Sequence, residues 1–157
     1  MDAAGTFTQQ QTYGFPAWTH IAGVGGGEVL FYNANTGAVQ TGNVDANGTF
    51  TNQTVYSGFA TWTHIVGVGD GEILFYNANT GAAQTGFVDA NGTLTNQTVY
   101  SGFALWTHVV GGIGGGEVLF YNANTGSVET ANVDVNGTFT DQIVYSGFAL
   151  WTQIAGI

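Results

Sequence analysis

The stretch Trp62-Thr-His-Ile-Val-Gly-Val-Gly-Asp-Gly-Glu-Ile-Leu-Phe-Tyr-Asn-Ala-Asn-Thr-Gly81 decides the fold, because it is written three times and begun a fourth. Its siblings open at Trp18 and Trp106, and Trp151 starts another copy. The openings lie 44, 44 and 45 residues apart. A fixed period of this size marks a repeat architecture, in which one copy is a supersecondary unit that cannot bury its apolar face alone.

Within the middle copy, Thr61 to Gly67 is rich in β-branched and aromatic residues and reads as a strand. Gly67 to Gly71 is a flexible turn. Glu72 to Asn77 is apolar on both faces, as a strand buried between layers would be. Asn79-Thr80-Gly81 turns the chain into a third strand, Ala82 to Val88. Asp89-Ala90-Asn91-Gly92 predicts a hairpin of the primed type before a threonine-rich fourth strand, Thr93 to Tyr100. A longer link from Tyr100 to Trp106 leads to the next copy. Helical periodicity is absent.

Four short antiparallel strands per ~40–45 residues are the pattern of a β-propeller blade. The expected fold is all-β: a β-propeller of four-stranded antiparallel blades, with a β-trefoil as the alternative. The expected boundaries are blades at 17–57, 61–101 and 105–146, a fourth-strand fragment at 2–13 and a first-strand fragment at 150–157. Three blades are too few to close a ring, so either several chains join or this is a fragment of a longer repeat array; a homo-oligomer joined through the edge strands is expected.

Charge narrows the function. The 157 residues include no lysine or arginine against ten carboxylates, a net charge of −10. Nucleic acid needs basic groups to neutralise phosphates, and anionic membranes need them equally, so neither partner is expected. Phosphorylated ligands are disfavoured for want of an arginine fork or a phosphate-binding lysine. A neutral ligand or a cation is what such a surface could hold. The absence of cysteine excludes disulfides and thiolate chemistry. No apolar run approaches a membrane span. An extracellular or released location is favoured, although no secretory signal is visible.

The pairs Trp18/His20, Trp62/His64 and Trp106/His108 recur, with Gln153 replacing the histidine after Trp151. Residues i and i+2 of a strand share a face, so indole and imidazole are expected side by side. An aromatic face beside a hydrogen-bonding group suits a pyranose ring; packing between blades is the competing reading. Asn33, Asn77 and Asn122 open the Asn-Ala-Asn-Thr-Gly turns and add amides that match sugar hydroxyls. No metal site and no cofactor is expected: one histidine per blade leaves the three apart, and the Asp-x-Asn-Gly turns lack the further carboxylates calcium requires.

Catalytic signals are sparse. No nucleophile elbow or Ser/His/Asp order is present, and near-identical copies suggest several equivalent weak sites rather than one active site. The visible differences between copies, such as Phe87 for Asn43 or Gln153 for His64, do not read as catalytic.

The string Trp-x-x-Ile-x-Gly-x-Gly-x-Gly-x-x-Leu-Phe-Tyr, at Trp18 to Tyr32 and Trp62 to Tyr76, resembles the blades of tachylectin-type and related bacterial propeller lectins. Nearly the whole chain is covered by such repeats. The resemblance implies binding of neutral or N-acetylated sugars without catalysis. The expected function is therefore a multivalent, lectin-like protein that binds neutral glycans and is not an enzyme. The ligand residues would be Trp18, His20, Asn33, Trp62, His64, Asn77, Trp106, His108 and Asn122. A self-assembling structural repeat without ligand is the alternative.

Overall fold

The computed structural model describes residues 12–59 and 62–155. It holds three four-stranded antiparallel sheets and, among the described residues, no helix. Blade one contains β1 (His20–Gly25), β2 (Glu28–Asn33), β3 (Ala38–Val44) and β4 (Phe50–Tyr56). Blade two contains β5 (His64–Gly69), β6 (Glu72–Asn77), β7 (Ala82–Val88) and β8 (Leu94–Tyr100). Blade three contains β9 (His108–Val110), β10 (Glu117–Asn122), β11 (Ser127–Val133) and β12 (Phe139–Tyr145). Strands are neighbours in chain order within each sheet, so each blade is a meander. Three separate sheets set the trefoil alternative aside. The arrangement is propeller-like, and the ring is open in this chain.

Strand limits follow local chemistry. The second and third strands of the middle copy run as expected; its first begins at His64, and Thr61 lies outside the described residues. Just before that strand, the Trp62 N–H donates to the Tyr32 hydroxyl of blade one at 2.8 Å, across the seam and outside its own ladder. The hairpin between β7 and β8 also differs. The Gly92 N–H bonds the Asp89 carbonyl at 2.9 Å, and only Gly92 takes positive φ, at 74°. A primed turn needs positive φ at its first central residue, which neither Ala90 nor Asn91 has, so this is an ordinary turn closed by a left-handed glycine. Asp89 Oδ1 supplies the fixing force by accepting the N–H groups of Asn91 and Thr93. Those bonds hold its carboxyl below the usual carboxylate range.

The core lies between sheets. Blade one contributes Leu30, Tyr32 and Val39 to the first seam, against Trp62, Ile65, Ile73, Phe75 and Val88 of blade two. The second seam repeats the set with Leu74, Tyr76 and Ala83 against Trp106, Val109, Val118, Phe120 and Val133. Buried tyrosines stitch each seam. Tyr76 accepts the Trp106 N–H at 2.8 Å and donates to the Ala104 carbonyl. Tyr56 and Tyr100, at the ends of fourth strands, reach the next blade's hairpin glycines, Gly92 and Gly137. Close approach of the innermost strands requires glycine: a Cβ on Gly67 would stand 1.8 Å from the Gly23 carbonyl oxygen.

The fourth-strand fragment expected at 2–13 lies almost wholly outside the described residues. The described part of the first-strand fragment, 150–155, forms no strand. It is nevertheless seated as a blade opening, because the Trp151 N–H donates to Tyr121 Oη and the Thr152 carbonyl bonds His108 Nε2.

Candidate functional site

The repeated tryptophans and histidines lie on opposite sides of their blades. Trp62 packs into the first seam beside Phe75, with ring centroids 6.0 Å apart, and Trp106 takes the same place in the second. His64 faces the other way, against Tyr76, and its Nε2 meets the Thr107 carbonyl of blade three at 3.0 Å. His20 and His108 repeat this bond to Thr63 and Thr152. A carbonyl only accepts, so Nε2 carries the hydrogen, and Nδ1 faces the preceding threonine hydroxyl. Burial pushes His64 below its ordinary value, which keeps it neutral near pH 7. The alternation rule misplaced these pairs because Trp62 precedes its strand.

Trp18 lies beside Phe31 on the outward side of blade one. Asn33 and Asn122 each spend Oδ1 on the turn N–H groups that follow and Nδ2 on the backbone before the tryptophan. Asn77 Oδ1 likewise accepts the Asn79 N–H at 2.9 Å. The polar atoms of these histidines and asparagines thus hold strands and seams in place.

A constellation that sequence reading passed over sits in blade three. Blades one and two carry an amide pair on their third and fourth strands: Gln40 with Asn52, and Gln84 with Asn96. In blade one the Gln40 amide donates directly to Asn52 Oδ1. At the same two positions blade three has Glu129 and Asp141, so both amides have become carboxyls. A bulge brings them together, with Glu129 opposite Val144 and Ala131 opposite Asp141.

Two amides pair without a proton, but two carboxyls can bond only by sharing one. Burial raises the Glu129 pKa, the hydrogen bond that protonated Glu129 donates to Asp141 and the Asp141 charge add to that, and the result is about 7. The pair opens into a cavity of about 220 Å³ whose other wall is the link Ser101, Gly102, Phe103 and Ala104. That wall is clamped: the Phe103 N–H donates to the Gly81 carbonyl, and its ring packs 4.8 Å from that of Phe139. An acid that gains and loses its proton near neutrality, beside a second carboxylate and in an open cavity, is equipped for general acid–base chemistry. The signal was present in the sequence as the columns Gln-Gln-Glu and Asn-Asn-Asp across the three copies.

No group of three or more histidine, aspartate or glutamate side chains is placed to hold a metal among the described residues. No described helix is long and apolar enough to cross a membrane.

No family model and no curated protein matches the chain in sequence. Solved structures do match in shape. The periplasmic gluconolactonase of Pseudomonas aeruginosa aligns with 79% of this chain and 38% of its own, at TM-score 0.53 and 16% identity. A Bacteroides fragilis protein provisionally assigned as a 6-phosphogluconolactonase aligns over 78% of this chain and 37% of its own, at TM-score 0.56 and 17% identity. A functionally unknown protein of Desulfotomaculum acetoxidans aligns over 77% and 39%, at TM-score 0.58 and 14% identity. The chain thus spans well under half the length of these structures, and at such identities they establish the fold alone.

These findings correct the expectation of a lectin-like, non-enzymatic protein and that of a ligand-free assembly module. Where the matched structures are named for an activity, it is a lactonase activity and not sugar binding. The physical reason lies in the repeat: the residues read as sugar contacts recur because every seam needs them, while the acid pair occurs once.

Proposed function

We propose that this chain carries the acid–base site of a propeller hydrolase acting on a neutral cyclic ester, a sugar lactone being the best-suited class. The reaction class comes from the names borne by two of the matched structures. The site comes from this chain's own residues. The single observation that carries the reading is the carboxyl pair Glu129–Asp141, which replaces an amide pair in one blade only. The absence of lysine and arginine favours a lactone without phosphate.

In its singly protonated form the pair holds one base and one acid. A water in the cavity attacks the lactone carbonyl while the ionised carboxylate takes its proton. The tetrahedral intermediate collapses by breaking the bond to the ring oxygen, which receives the proton of the other carboxyl. One water is consumed, one hydroxy acid is formed, and the pair again holds one proton with the roles exchanged. Ser101, on the cavity wall, supplies a hydroxyl for orienting the substrate.

The test is hydrolysis of glucono-δ-lactone above its spontaneous rate. The expected profile is bell-shaped with an alkaline limb near pH 7, where the pair loses its shared proton. Glu129→Gln and Asp141→Asn install the residues of the sibling blades and should each lower the rate by about 10²-fold or more. Wild-type rates equal to the spontaneous rate contradict the proposal.

The proposal includes closure of the ring by further copies of the chain. Tyr145, Phe148 and Trp151 support it, since they border an apolar cavity of about 320 Å³ on the outward face of blade three. Native mass measurement checks it: multiples of 16.3 kDa are expected, and a single-chain mass contradicts closure.

A further inference from the structure

We infer that the seam between blades one and two holds a second site, for an organic ammonium ion, independent of the acid pair. Glu28 opens β2 with only 6% of its surface exposed. Its Oε1 accepts from Asn43 Nδ2 at 2.8 Å and from Gln53 Nε2 at 3.2 Å, while Oε2 is buried without a partner. A buried carboxylate needs a counter-charge or a proton. The chain has no lysine or arginine to offer, so a permanent counter-charge, where a proton does not serve, comes from outside.

Glu28 forms part of the wall of a cavity of about 310 Å³, with Gly25 and Gly26 from its own blade and Asp70, Phe87, Val88 and Ala90 from blade two. Two of these residues are where blade two departs from its siblings. Asp70 stands where the others have Gly26 and Gly115, and Phe87 where they have Asn43 and Asn132. Both departures meet in one cavity. Asp70 is also the one non-glycine with positive φ among the described residues, at 53°, a conformation its siblings adopt with glycine. Its loop is pinned across the seam, because the Gly71 N–H donates to the Val24 carbonyl at 2.8 Å. Gly71 also lets the loop lie against the Phe87 ring, which a Cβ there would approach to 2.6 Å.

Carboxylates beside an aromatic ring and aliphatic walls are the chemistry that recognises an alkylated ammonium, which takes both a counter-charge and contact with ring and hydrocarbon. A hard metal ion fits less well, since it takes six or more oxygen ligands and this wall offers a phenyl ring, Val88 and Ala90.

The test titrates the 157-residue chain with tetramethylammonium chloride, with sodium and calcium chlorides at matched ionic strength as controls, read by NMR at the Phe87 ring. Saturable shifts with tetramethylammonium alone are expected. Asp70→Gly and Phe87→Asn, which install residues the sibling blades tolerate, should each weaken binding about fivefold or more. Glu129→Gln should leave it unchanged, which separates this site from the acid pair. The inference is overturned by an absence of saturable shifts at Phe87, by calcium occupying the site in preference, or by both variants binding like the wild type.

Discussion

The two seams of this molecule are built on one plan and diverge at a handful of side chains. Each joins a tyrosine and aliphatic face to a tryptophan and phenylalanine face, and each is stitched by the same bonds. Apart from the plan, the first seam gains Asp70 and Phe87 around one cavity, and the second gains Glu129 and Asp141 around another. The difference teaches that repeated residues here serve packing, and that chemistry is to be sought where a copy breaks the repeat. Repetition is what a stack of blades needs for stability; a reactive group needs a setting its siblings lack.

The plan breaks first at the inner glycines. Gly67→Ala drives a Cβ to 1.8 Å from the Gly23 oxygen, while Gly111→Ala meets the Gly67 oxygen at 2.4 Å. Both should destabilise by about 3 kcal/mol or more, the first seam suffering more. Gly23→Ala meets nothing within 4 Å and should be nearly silent. Chemical denaturation of the three variants orders them. Next comes Tyr76→Phe, which strands the Trp106 N–H and the Ala104 carbonyl in the second seam and should cost about 1–3 kcal/mol in the same assay.

The smallest expected effect sharpens the comparison most. The folded Glu129 carboxyl binds its proton more tightly than the usual 4.5, up to about 7. Folding therefore favours the protonated acid. The contribution of this carboxyl to stability is full below about pH 4.5 and is lost as pH rises from there to about 7. Glu129→Gln removes that decline, so its Tm should match the wild type at pH 4 and exceed it by on the order of a few degrees at pH 8. Gln84→Glu, at the equivalent position of blade two, lacks an acidic partner and should not reproduce the wild-type slope.

Much of the fold was legible in the period. The strands at Glu72–Asn77 and Ala82–Val88 stand where alternation and turn residues put them. What escaped depended on the neighbouring blade. The Trp62 N–H serves Tyr32, a residue 30 positions away on the neighbouring blade. Trp62 packs into the first seam and His64 bonds the Thr107 carbonyl of blade three, a division that no single copy reveals. The acid pair escaped for another reason. Glu129 and Asp141 are ordinary surface residues when read alone, and they become a pair only when β11 and β12 are in register and bulged.

Carboxyl-carbon NMR of Glu129 and Asp141 across pH 3–9 tests the central claim most directly. One carboxyl of the pair should titrate near 7, and that step should vanish in Asp141→Asn. Two steps near 4, with no change on replacing Asp141, would mean that the acids do not share a proton and that blade three is chemically no different from its siblings.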